Sequence, residues 1–302
     1  MHDIPRVAVL LASYNGAGWI GEQIASIVAS RGVATHIFLS DDGSNDGTVA
    51  IAEKAAGDRL TLLPFSPSGS AGLNFFRLVK EAEWDGFDYV ALADQDDIWE
   101  PEKLARAVAA IGQRNLSAYS SDITAFWPDG RRQYIRKSQP QQRWDHLFES
   151  AGPGNTFVFP VREAAYLREK LSSADPRKLR IADRHDWLFY AYFREGGKRW
   201  LIDDVSGLDY RQHESNVVGA AKGIRARLAR FSLVNDGWYR SHILMVGDLT
   251  DASNPIIDYV RRPRLRHWWK LLVNARSFRR DFKESLAVMV ILAMMALPGK
   301  NA

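Results

Sequence analysis

Residues 91–99 read ALADQDDIW, with three carboxylates (Asp94, Asp96 and Asp97) in four positions directly behind an apolar run. Carboxylates crowded in this way repel one another, and each needs water, a donor or a counter-charge. Two uses fit the residue types. A solvated turn that opens a helix would use aspartates as caps. A divalent cation would use them as hard oxygen ligands.

Two other clusters carry chemistry-bearing patterns. The stretch GAGWIG at 16–21 fits the G-x-G-x-x-G dinucleotide fingerprint, with Asp41 twenty residues beyond its last glycine. It makes a nicotinamide-dependent oxidoreductase the rival reading. The three residues SYN separate the first glycine from the apolar run before it, whereas the fingerprint turns tightly at the strand end. In DDGSNDGTVAIAE, from Asp41, the residues Asp42, Ser44, Asp46, Gly47 and Glu53 fall on a calcium-loop template. That loop needs a helix in front of it, and the segment here is the strand-like HIFLS. Asn45 and Asp46 read as a turn before a helix that starts near Thr48.

The elements that must position these clusters alternate in period. Val7–Ala12, His36–Ser40, Leu60–Leu63 and Tyr89–Ala93 are short apolar runs of strand length. Between them lie helical spacings: Ile20, Ile24, Ile27 and Val28; then 48–56; then Leu73, Phe76, Val79 and Lys80. A further helix is opened by Pro101 and carries Leu104, Val108 and Ile111 on one face. Repeated β-α units predict an α/β fold with a mostly parallel sheet and helices on both faces. Ligands gather at the C-terminal ends of such strands. SYNG, DDGSNDGT and DQDD all fall at such ends. Further on, strands are predicted at 118–121, 156–159 and 199–202, a helix over 187–194, and a helical pattern from Gly219 onward.

With 46% hydrophobic and 25% charged residues the chain of 302 residues is an ordinary globular sequence. It has no cysteine, which excludes disulfides and thiolate metal sites. Its first residues lack the pattern of an export signal. The net charge of +4 hides an asymmetry: from Lys222 onward there are 15 Lys and Arg against 6 Asp and Glu, so a basic tail follows an acidic body. No nucleic-acid module accompanies that tail, and no nucleic-acid partner is expected.

Taken together, LLASYNG, LSDDGSNDGT, ALADQDDIW, HDW and YRQHESNVVG resemble the family 2 glycosyltransferases of GT-A fold, closest to bacterial rhamnosyltransferase-like members, across about residues 5–220. The resemblance implies a GT-A domain over 1–221, with a nucleotide-sugar and metal half (1–114) and an acceptor and catalytic half (115–221), followed by a basic helical region over 222–302. It implies an inverting, metal-dependent transfer of a sugar, rhamnose or another deoxyhexose, from a dTDP- or UDP-sugar to a glycan or lipid-linked glycan acceptor. A non-catalytic sugar-nucleotide-binding protein is the other alternative. Asp94 and Asp96 become the D-x-D pair holding Mn²⁺ or Mg²⁺, with Asp94 also near the ribose, and Asp97 caps or orients the next turn. Ser13, Tyr14 and Asn15 face the nucleotide, and Asp41 or Asp42 accepts from a pyrimidine N–H. Asn74 is either a donor-site contact or a helix cap. Asp186 matches the catalytic base, against a reading as N-cap of the 187–194 helix. His185 stands where the family often has Glu. His213 reaches the metal or diphosphate with Arg211 beside it, and GPGNTFVFP (152–160) lines the acceptor site.

In the tail, SLAVMVILAMMAL (285–297) is too short to span a bilayer, for which about 20 residues are needed. Arg261, Arg262, Arg264, Arg266, Lys270, Arg276, Arg279, Arg280 and Lys283 lie just upstream with Trp268 and Trp269. Either this region packs on the body or a second subunit, or residues 255–302 attach the protein to the cytoplasmic face of a membrane.

Overall fold

The computed structural model describes residues 4–213, 238–251, 253–262 and 264–288. Its first half follows the predicted alternation: β1 (Arg6–Ser13), α1 (Ile20–Val28), β2 (Ala34–Asp41), α2 (Thr48–Ala56), β3 (Leu60–Leu62), α3 (Ala71–Glu81), β4 (Tyr89–Ala93), β5 (Ile98–Trp99) and α4 (Lys103–Arg114). The second half contributes β6 (Ala118–Ser121), β7 (Ile123–Phe126), β8 (Arg132–Ile135), β9 (Val158–Pro160), α5 (Val161–Ser173), α6 (Pro176–Ile181), α7 (His185–Glu195), β10 (Trp200–Asp203) and β11 (Leu208–Arg211). Helices α8 (Trp238–Thr250), α9 (Pro255–Arg261) and α10 (Leu265–Asn274) follow, and 282–288 is again helical.

The main sheet has the order β10-β6-β9-β4-β1-β2-β3 and is parallel except for β9, which runs antiparallel to β4 and β6. Alternate β1 residues serve opposite faces, as a pleated strand requires. Val7, Val9 and Leu11 join a core with Ile20, Ile24 and Ile27 of α1 and Leu104 and Ile111 of α4. Ala8 and Leu10 join another with Phe75, Phe76 and Val79 of α3 and Leu167 of α5. Each fully buried side chain of this size contributes roughly 1.5–3 kcal/mol. The order β2-β1-β4 sets the ends of these three strands side by side, with Ser13 paired to Asp41 and Leu11 to Ala93. The SYNG, DDGSNDGT and DQDD loops therefore share one rim.

A small second sheet, β5-β11-β7-β8, has no counterpart in the sequence reading. Its strands are two to four residues long, too short for a period to show. α5 was also not assigned, although Ala164, Leu167 and Leu171 have helical spacing. The strand expected at 156–159 begins only at Val158, because Gly154–Thr156 forms a 3₁₀ turn.

The described C-terminal helices are integral to the molecule. Ile243, Val246, Ile257, Leu271 and Phe278 share a core with Leu147, Phe148, Trp187 and Ala191. A buried ion cluster reinforces the junction: Asp145, fully covered, lies 2.9 Å from Arg194 and 3.4 Å from Arg280. Residues 289–297 of the apolar run lie outside the described residues. No helix among the described residues is long and apolar enough to cross a membrane.

Candidate active site

The acidic stretch leaves β4 and enters β5, not a helix; α4 starts only at Lys103. The reading of DQDD as a helix-opening turn is thereby corrected. β5 pairs with β11 through Ile98–Asp209 and Trp99–Leu208, which brings Tyr210, Arg211 and His213 beside the aspartates. His213 Nε2 is 2.8 Å from Asp96 Oδ2, and its ring stacks on Trp19 at 4.1 Å. Arg211 donates from Nε to the Asp96 carbonyl at 2.8 Å and pairs with Glu22.

Asp97 is fully buried, accepting from Asn155 Nδ2 and from the Arg211 backbone N–H. It ties β4, the 152–160 segment and β11 together, and does not cap. Burial and the Asp96 and Asp94 charges push its carboxyl well above the usual range. Nearby, the Lys103 Nζ sits 3.5 Å from the Trp99 ring centre with no hydrogen-bond partner, and burial lowers its pKa to about 7.

Asp94 is pushed up to about 8, first by desolvation and then by the charges of Asp96 and Asp186. The Tyr210 hydroxyl is raised by burial and by the same carboxylates. Asp186 thus stands in electrostatic reach of the acidic rim although 92 residues separate it from Asp94 in the chain. It occupies the first turn of α7, whose N-cap is Arg184, and no side chain caps that helix. The capping reading of Asp186 is corrected. Beside it, the His185 ring stacks on Phe75 at 4.0 Å and abuts Gly154, where a Cβ would overlap the imidazole. Burial lowers the His185 pKa to about 4.

The first two loops are knitted together. Asp41 accepts from Ser13 Oγ at 2.7 Å, Ser44 Oγ at 2.6 Å, Ser44 N at 2.7 Å and Gly43 N at 3.1 Å. Asp42 accepts from the backbone N–H groups of Ser68 and Gly69. Asn15, in a left-handed conformation, donates from its backbone to Ser44 Oγ and accepts from Asn45 N. Tyr14 exposes its ring, while its backbone N–H and carbonyl bond reciprocally with the Gln95 amide at 2.9 and 3.0 Å.

Comparisons with known proteins identify the family. The family model "Glycosyl transferase family 2" matches residues 8–173. A dTDP-rhamnosyl transferase of Shigella flexneri is 34% identical over 292 residues, covering 95% of this chain and 99% of that protein. The chain is a family 2 glycosyltransferase.

Solved structures show the same GT-A fold. The S. aureus TarS fragment 1–349 in complex with UDP-GlcNAc superposes with a TM-score of 0.57 at 15% identity, covering 96% of this chain and 88% of that one. A mannosyltransferase of Pyrobaculum calidifontis in complex with GDP-Man and Mn²⁺ gives 0.54 at 15%, covering 99% and 89%. Family membership replaces the dinucleotide reading of GAGWIG. In this glycosyltransferase a Cβ at Gly16 would overlap the Gln95 amide, so that glycine serves a close approach between two loops.

The fold brings Ser13, Asp41 and Asp42, and separately Asp94, Asp96, Asp186, Arg211 and His213, to one rim. Asn74 is different. It is 2% exposed within α3, whose N-cap is Ser70, and its amide donates to the Ser40 carbonyl at 2.8 Å. It is not a cap; it braces the end of β2. Gln95, Trp19, Asn155 and Tyr210 were not singled out in the sequence, although each lies inside a quoted stretch: ALADQDDIW, GAGWIG, GPGNTFVFP and YRQHESNVVG.

Proposed function

We propose that this enzyme transfers rhamnose or another deoxyhexose from a dTDP- or UDP-sugar to a bacterial surface glycan, with inversion at the anomeric carbon. The observation that carries this reading is that Asp186, at the start of α7, comes near enough for its charge to raise the Asp94 carboxyl behind β4, where Asp96 also lies. The sugar is suggested by the dTDP-rhamnosyl transferase relative.

The donor set suits Mn²⁺ or Mg²⁺. Asp94 and Asp96 offer hard oxygens and His213 an imidazole. Asp94 is lifted to about 8 first by burial and then by the Asp96 and Asp186 charges, so a cation beside it would offset both the lost hydration and the repulsion. Among the described residues no three His, Asp or Glu side chains close on one point. That fits a cation completing its shell with diphosphate and water. When bound, it would supply stabilisation of the charge growing on the leaving diphosphate.

The chain's own residues do the rest. Asp186 accepts the proton of the attacking acceptor hydroxyl, and a single base with a direct displacement gives inversion. Ser13, Tyr14 and Asn15 border the nucleotide. Of the two aspartates at the end of β2, Asp41 already accepts four hydrogen bonds, the capacity of a carboxylate. Asp42 is therefore the better acceptor for a pyrimidine N–H. Arg211, held against Asp96, lies beside the expected diphosphate. The acceptor is a glycan or a lipid-linked glycan, and a lipid-linked one would hold the enzyme at the cytoplasmic face of a membrane.

The test is a transfer assay with dTDP-rhamnose and lipid-linked oligosaccharide, following nucleotide diphosphate release and the anomeric configuration of the product. Inverted product supports the reading. Retained configuration, or turnover with neither dTDP- nor UDP-sugars while another donor class works, overturns it.

A further inference from the structure

The charged tail divides into two populations that the sequence could not separate. Arg279 and Arg280 are turned inward: Arg279 donates to the Phe148 carbonyl at 2.8 Å, and Arg280 is 3% exposed against Asp145 and Glu149. Arg261 pairs with Asp248. Arg266, Lys270, Arg276 and Lys283 are exposed instead.

Large apolar side chains share that outer surface. On α10, Trp269 is 71% and Val273 75% exposed, one helical turn apart, while Leu271, and Ala275 in the turn that follows, face the core. Arg276 follows Val273 by three positions and lies over the Phe282 ring at 5.8 Å. Phe282 is 59% exposed, and Leu286, four residues on in the helical stretch 282–288, is 47% exposed. Four of the eleven large apolar side chains exposed among the described residues thus fall within 269–286. Single exposed apolar residues are ordinary, but a row of them ringed by cations is not. α10 contains no acidic residue, and Glu284 is paired with Arg279.

We propose that this face, formed by Trp269, Val273, Phe282 and Leu286 and flanked by Arg266, Lys270, Arg276 and Lys283, docks on an anionic lipid bilayer. Tryptophan suits the headgroup boundary, with an apolar body and a polar tip, and the cations match anionic headgroups. The proposal deepens the membrane placement given above, yet vesicle binding needs neither donor nor turnover, so each can fail without the other.

The experiment is flotation of the full chain with phosphatidylcholine vesicles, with and without phosphatidylglycerol. Binding is expected only with phosphatidylglycerol, and release on raising salt to about 1 M, where the screening length falls to about 3 Å. The substitutions Trp269→Ser and Phe282→Ser together should abolish flotation. Arg266→Gln and Lys283→Gln should each weaken binding by on the order of 5-fold. Lys54→Gln, an exposed cation on α2, should leave it unchanged. Circular dichroism and release of nucleotide diphosphate from donor report whether each variant is folded. No binding to anionic vesicles at low salt overturns the proposal. So does a Trp269→Ser, Phe282→Ser protein that floats like the parent, or one that instead breaks a dimer, which would assign the face to a second copy of the chain.

Discussion

His213 Nε2 stands 2.8 Å from the Asp96 carboxylate, although 117 positions separate the two residues in the chain. The contact exists because β5 and β11 pair immediately beside it, and because Trp19 supports the imidazole from one face. Removing Asp96 should therefore do more than remove one charge. Asp96→Ala is expected to lower turnover by on the order of 10²-fold or more, the worth of a lost electrostatic contact to the leaving group. His213→Ala should raise the Mn²⁺ concentration for half-maximal activity by about 10- to 100-fold, as loss of a group that is a ligand or orients one does. Metal titrations of both variants check this; a His213→Ala protein with parental metal demand would contradict it.

Asp186→Asn keeps size and most hydrogen-bonding capacity but cannot accept a proton at neutral pH. Transfer should fall by about 10²–10⁴-fold with donor affinity little changed. A purely structural role at the start of α7 would instead leave activity near the parental level, since Asn matches Asp in size and shape. Steady-state kinetics alongside donor titration separates the outcomes.

Gly154 and His185 occupy each other's space: a Cβ at 154 would overlap the imidazole. Gly154→Ala should destabilise the protein by about 1–3 kcal/mol, as overpacking does. His185→Ala in the same chain should return part of that loss, giving a coupling a double-mutant cycle can measure. Additive effects would mean the two do not meet.

His242, fully buried between Trp187 and Trp238 on α8, has its pKa lowered to about 4, chiefly by burial. A histidine whose folded pKa lies below its unfolded value makes unfolding take up a proton as pH falls. Its contribution is complete above about 6.5 and declines by about 1.4 kcal/mol per pH unit from there toward 4. His185 shifts the same way; His146, held by Asp145 and Glu195, shifts upward and opposes them. The clean measurement is a difference: His242→Phe should lose less stability than the parent between pH 6.5 and 5 in urea melts. Parallel profiles would contradict the assignment.

Much of this was legible in the sequence because it is local. Tyr89–Ala93 and Thr48–Ala56 were readable as elements from their apolar period and turn residues, and the observed bounds are those expected. What the sequence did not show depends on pairing at a distance. Arg211 and His213 reach Asp96 only through a two-residue strand, too short to carry a pattern. Asp97 resembled a cap because caps and buried hydrogen-bonded carboxylates use the same residue; its partners, Asn155 and Arg211, come from remote segments. Asn74 resembled a helix cap because a polar residue behind a glycine-rich turn gives no sign that the helix has already begun at Ala71 and will cover it. In the tail, nothing in the run of arginines distinguished Arg280, buried on Asp145, from Arg276, left outside.

In the proposed site a divalent cation joins a nucleotide-diphosphate sugar to Asp94 and Asp96, and thermal melting of the protein with a panel of nucleotide sugars, in Mn²⁺ and in excess chelator, reads that bridge. A dTDP- or UDP-sugar should raise the melting temperature in Mn²⁺, lose most of that effect in chelator, and lose it in Asp96→Ala even with Mn²⁺. A stabilisation of equal size in chelator, or one that survives Asp96→Ala, would mean that no cation links the sugar nucleotide to these aspartates.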